Sequence, residues 1–157
     1  MSARSIFDDA PLGAIVQFSD GAARPPARFR KKVAAWENHN GRGRLVRKAP
    51  AHTVGNHTSP ASFGLHLNDY ASAGVVVLKV FKTFSVDSAL TFAVVERPAP
   101  GSVRVLDRPG DKGELIHLAR NRADAETWLK SHGYPDAVLD EVGDDAVVAA
   151  ACSGRAA

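Results

Sequence analysis

One cysteine, Cys152, is all that 157 residues contain, so an internal disulfide and a cysteine-built zinc site are excluded. No apolar run approaches the roughly 20 residues of a membrane-spanning helix. The longest runs only from Ala146 to Cys152. Residues 1–11 lack the charged-then-apolar design of a secretory leader. These absences point to a cytoplasmic protein with no membrane contact, and they leave the sequon Asn56-His57-Thr58 without a role. Hydrophobic residues at 45% and charged residues at 24% are ordinary globular usage, which excludes a disordered, collagen-like or coiled-coil chain.

What is present favours sheet. Val outnumbers Leu by 17 to 11, and β-branched residues suit strands. Strands are expected at Leu12–Phe18, Arg44–Lys48, Ser62–Leu67, Ala73–Ser85, Leu90–Arg97, Val103–Asp107, Glu114–Ala119 and Ala137–Val142. Ala73–Ser85 and Leu90–Arg97 are read as a hairpin turning at Val86-Asp87-Ser88. Pro25-Pro26 opens a helix over Ala27–Asn40, with Phe29, Val33 and Trp36 as its buried face. Asn121 caps a second helix, Arg122–His132, with Ala125, Trp128 and Leu129 inward. A short alanine-rich helix runs from Asp144 to near Cys152.

The expected fold is therefore α+β: a mixed, mainly antiparallel sheet of six or seven strands, with two main helices on one face and a short C-terminal helix. A single domain spans residues 12–152, between a disordered tail at 1–11 and a frayed one at 153–157. Removing residues 1–9 and 153–157 should then change stability by less than about 1 kcal/mol.

Charge is unevenly spread around a net of +3. Residues 1–50 hold ten Lys/Arg against four Asp/Glu, and residues 111–157 hold five against nine. On the first helix Arg28, Lys32 and His39 fall on one stripe, followed by Arg42, Arg44, Arg47 and Lys48. Arginine forks in a row suit phosphates, so these seven residues form the candidate binding surface. The alternative is a solvated helix face beside a charged edge strand. The excess of Arg over Lys is also the usage of a GC-rich bacterial genome. Gly41-Arg42-Gly43 follows a helix and precedes a strand, the reverse of a phosphate-binding loop.

The histidines offer weaker candidates. His52, His57 and His66, with Asp69 close behind, carry zinc-ligand chemistry, but their spacing matches no metal motif. His39, His57, His66 and His117 could supply a metal-free acid–base pair. Phe81, Phe84 and Phe92, interleaved with Lys79 and Lys82, could stack bases, although core is the plainer reading for them and for Trp36 and Trp128.

Three functions follow. The leading one is a non-enzymatic binding or accessory protein whose basic surface meets nucleic acid or an acidic protein. The second is a protein-interaction module, a homodimer through a sheet edge. The third is a small metal-independent nuclease using His and Arg. No cofactor and no metal are expected.

Overall fold

The computed structural model describes residues 1–143. The helix expected from Asp144 and the tail at 153–157 lie outside the described residues. In chain order the elements are α1 (Ala3–Asp9), β1 (Ile15–Ser19), α2 (Arg30–Glu37), β2 (Gly41–Ala49), β3 (His52–Val54), β4 (His57–Ser59), β5 (Ser62–Ser72), β6 (Val75–Ser85), β7 (Thr91–Glu96), β8 (Val103–Leu106), β9 (Leu115–Ala119), α3 (Arg122–Lys130) and β10 (Val138–Glu141). Strand accounts for 43% and helix for 17% of the described residues.

The main sheet has the order β6-β5-β2-β1-β7, with every neighbour antiparallel. Its inner face alternates as a half-buried sheet should. Val16 and Phe18 of β1, Leu45 of β2, Phe63 and Leu65 of β5, Phe84 of β6 and Phe92 of β7 form one buried cluster. The sheet is strongly curled. The rings of Phe18 and Phe84 lie 4.9 Å apart, although their strands are three places apart in the order. Flat strands would hold them about 14 Å apart. Phe84 likewise meets Phe92, 5.2 Å away, from the opposite edge of the sheet.

The open end of this curl is plugged by α1, which corrects the expectation of a disordered start. Ala3, Ile6 and Ala10 are buried in the phenylalanine cluster, with Phe7 packed beside them. Ser2 caps the helix by accepting from the Ser5 N–H, and the Met1 ammonium donates to the Phe92 carbonyl at 2.7 Å. Small residues at positions 3 and 10 let the helix approach closely, so a short amphipathic stretch suffices.

β8, β9 and β10 form a separate antiparallel sheet of order β10-β8-β9, covered by α3. Its core is Val103, Val105, Ala119 and Ala125. Asn121 caps α3 as expected, accepting from the Asp124 N–H at 2.9 Å. β3 and β4 make a small exposed ribbon of their own.

The expected single mixed sheet with two main helices on one face is therefore wrong on three counts. Among the described residues every strand pairing is antiparallel, the strands divide among three sheets, and the helices are short. α2 buries no residue. Phe29 sits before the helix start and is 42% exposed, so the apolar stripe loses its first member. Polar anchors hold α2 instead. Trp36 Nε1 donates to the Ala22 carbonyl, and buried Asn40 donates to Asp20 and to the Trp36 carbonyl while accepting from Ser19. The Ala22 backbone N–H and the Asn40 amide hold the Asp20 carboxyl below its usual range. The expected hairpin between the strands now called β6 and β7 is also absent. β6 pairs with β5, and the connection after Ser85 carries the chain to the far edge, where β7 pairs with β1.

Gly43 of β2 has no room for a side chain. An added Cβ would lie 2.7 Å from the His66 carbonyl oxygen and 2.8 Å from Leu67. Because the nearest atom is backbone, β5 would have to move. Gly43→Ala should destabilise by about 1–3 kcal/mol, the usual cost of overpacking. Chemical denaturation measures it, and a cost within 0.5 kcal/mol, the range of ordinary surface changes, would contradict this packing.

Candidate functional site

The outer face of the main sheet carries a row set by strand register. Ile15 pairs with Arg44, Arg44 with His66, and His66 with Phe81, so four strands present these side chains side by side. One step along, Asp69 pairs with Lys79. β9 faces this row from the second sheet. Between them lies a cleft of about 400 Å³ lined by Arg44, His66, Asp69, Lys79 and Phe81 on one side and by Glu114, Ile116, His117 and Tyr134 on the other.

Within the cleft, His66 Nε2 and Asp69 Oδ1 are 2.6 Å apart, and the imidazole rests against the Phe81 ring at 5.2 Å. A carboxylate on one ring nitrogen orients the imidazole and leaves Nδ1 as the working atom. Arg44 is steadied by one bond from its guanidinium to the Gly13 carbonyl at 2.7 Å. Among the described residues neither Arg44 nor Lys79 forms an ion pair within 4 Å. With Asp69 committed to His66, two cations face one further carboxylate, Glu114.

His117 belongs to a ring stack on the opposite wall. It lies flat on Trp128 (4.6 Å, 3° between planes), and His132 also stacks on that indole (3.9 Å, 9°). α3 supplies Trp128 and β9 supplies His117. Burial first, then the charges of His132 and Lys79, hold the His117 imidazole below the ordinary histidine value, with Asp124 opposing them. The lowered value favours the neutral imidazole, the form that can accept a proton.

The seven residues of the expected basic surface are not one surface. Arg28 and Lys32 flank exposed Phe29, their charged ends 4.8 and 5.2 Å from the ring. They meet there across the helix start, since Arg28 precedes the first helical residue. His39 is exposed beyond the helix end. Arg42 is exposed on the outer face, and Arg44 enters the cleft. Arg47 and Lys48, beyond a bulge in β2, line a different hollow with His52, Ser62 and Lys112. Lys112, from the acidic third of the chain, completes that cationic group. Burial lowers the Lys48 pKa, opposed by Asp8 and Asp9.

The zinc grouping is not assembled. His52 and His57 lie on the β3–β4 ribbon and His66 in the cleft. Among the described residues no three His, Cys, Asp or Glu side chains gather as a metal site. Of the four acid–base candidates, His66 and His117 share the cleft, whereas His39 and His57 do not reach it. Lys79 and Glu114 were missed as members of the site. Lys79 sits two residues before Phe81 and so shares its face, a signal the period of a strand contains.

Among the described residues no helix is long and apolar enough to cross a membrane. A family model matches residues 1–146, and the chain belongs to that family, described as uncharacterised conserved protein UCP036055. No curated protein and no solved structure matches the chain.

Proposed function

We propose that this member of the family is a small metal-independent enzyme of the cytoplasm that cleaves the phosphodiester backbone of single-stranded RNA. One observation carries the reading: two histidines, one with its pKa lowered by burial and one bonded to a carboxylate, share a cleft with Arg44 and Lys79.

The residues divide the work by their surroundings. His117, its neutral form favoured by burial, takes the proton of the ribose 2′-hydroxyl as that oxygen attacks phosphorus. His66, held in place by Asp69 at 2.6 Å, gives a proton to the departing 5′-oxygen. Arg44 and Lys79 meet the charge that builds on the non-bridging oxygens. The attacking oxygen belongs to the substrate, so no metal-bound water is needed. The products are a 2′,3′-cyclic phosphate and a free 5′-hydroxyl, which balance the two proton transfers.

A defined RNA oligonucleotide incubated in excess EDTA tests this. Cleavage leaving cyclic phosphate ends is expected, with the DNA oligonucleotide of the same sequence intact, because it lacks the attacking hydroxyl. Intact RNA, or equal loss of DNA, would end the reading.

A second reading rests on Arg28 and Lys32 around exposed Phe29: binding of nucleic acid, or of an acidic protein surface, without chemistry. For nucleic acid, Arg28→Glu with Lys32→Glu should lower the slope of log affinity against log salt by roughly 0.7–0.9 per lost phosphate contact. An unchanged slope would remove α2 from the contact. RNA binding without turnover would favour this reading over the first.

A further inference from the structure

Two hollows continue from the cleft along the outer face of the main sheet. The first, of about 390 Å³, shares Arg44 and His66 with the cleft and adds Arg42, Val95 and Glu96. The second, of about 730 Å³, shares Arg42 with the first and reaches Gln17, Arg24, Trp36 and Glu37. Strand register explains the continuity. Arg42 and Arg44 are alternate residues of β2, so they stand on one face about 7 Å apart. Gln17 pairs with Arg42 as Ile15 pairs with Arg44.

Among the described residues neither Arg42 nor Arg44 forms an ion pair within 4 Å. Two carboxylates lie along the way. Glu37 is taken by Arg24 at 3.6 Å, and Glu96 stands exposed on the edge strand β7. The path therefore runs over two unpaired arginines and ends on an indole. Trp36 is half-buried, with the Arg24 guanidinium 5.9 Å from its ring.

We propose that these hollows extend the RNA site: a single strand leaves the cleft over Arg44 and Arg42 and sets a base against Trp36. This extension rests on the reading of the cleft as an RNA site, and it adds that the substrate spans several nucleotides. Three observations select the occupant. Adjoining hollows that share residues suit a chain and not a compact ligand. Guanidinium groups at strand spacing suit successive phosphates. A cationic track that ends on an aromatic ring holds single strands by backbone charge and base stacking.

Oligodeoxynucleotides test it, because they lack the attacking hydroxyl and report binding alone. An octanucleotide should bind the full chain at least about tenfold tighter than a dinucleotide, the gain of further phosphate contacts and one stacked base. Arg42→Ala should remove most of that gain and leave dinucleotide affinity unchanged. The slope of log affinity against log salt should fall by about 0.7 in this variant, and Arg42→Lys should restore it. Arg47→Ala, at an exposed cation of the other hollow, should leave octanucleotide binding intact. In Trp128→Phe, Trp36 is the one remaining tryptophan. Its fluorescence should be quenched by the octanucleotide and not by the dinucleotide. Equal affinity for the two lengths, no octanucleotide binding, indifference to Arg42→Ala or an unquenched Trp36 would each overturn the extension, and RNA cleavage in the cleft could survive any of them. Octanucleotide binding that depends on Arg42 and quenches Trp36 would uphold it even where no RNA is cut.

Discussion

His66→Ala and His117→Ala should each lower RNA cleavage by about 100-fold to 10,000-fold, the contribution of a positioned general acid or base. Both side chains are only half-buried, so the folded state should persist in each variant. The pH profile separates their roles. His117 is held below the ordinary histidine value, so the acid limb of kcat/KM should lie below pH 6.5, the ordinary value. His132→Gln removes one of the charges that lower it, and the limb should move upward. A limb unmoved by His132→Gln would take the base role from His117. The same shift bears on stability. A histidine depressed in the folded state favours folding above its unfolded value, and that contribution is lost as pH falls through the folded value. Acid should therefore destabilise the wild type more than His117→Gln.

Deleting residues 1–9 should cost on the order of 5 kcal/mol, because it removes Ala3, Ile6 and Phe7 and leaves Ala10 and the phenylalanine cluster beneath them open to water. Ile6→Ala alone should cost about 2–5 kcal/mol. Mesophilic domains have only about 5–15 kcal/mol in hand, so the truncated chain should be largely unfolded or sharply less stable. Urea denaturation followed by fluorescence measures both. A truncation costing under 1 kcal/mol would restore the disordered tail and remove α1 from the core.

The reason this helix was illegible is specific. Ser2 to Ala10 offers two large apolar residues, Ile6 and Phe7, too few for a periodic stripe. What buries Ile6 is the open end of a curled sheet, which no local pattern records. The second helix failed in the opposite way. Phe29, Val33 and Trp36 have helical spacing, but α2 begins one residue too late to include Phe29, and Asn40 ties it down through hydrogen bonds. The hairpin at Ala73-Gly74 was hidden because alanine stands where both turn residues need a left-handed backbone, a place usually held by Asn or Gly.

Eight strand positions were readable one by one, because burial of one face imposes a period of two on a segment by itself; the exposed β3 and β4 have no buried face and were not. The cap at Asn121 was also readable, because it depends only on its own helix. Pairing was not, because partners are chosen by curvature and by the route of the connections, which sent β7 to the far edge. The two histidines of the cleft were named among four candidates, but bringing His66 and His117 together required two separate sheets to face each other. The basic stripe was drawn from sequence neighbours, and folding scattered it, since a bulge in β2 and the early end of α2 point adjacent cations to different sides. Chemistry carried by a residue's own type could be read from the chain. Which residues share a site was decided by tertiary packing, because contacts between distant segments leave no trace in local spacing.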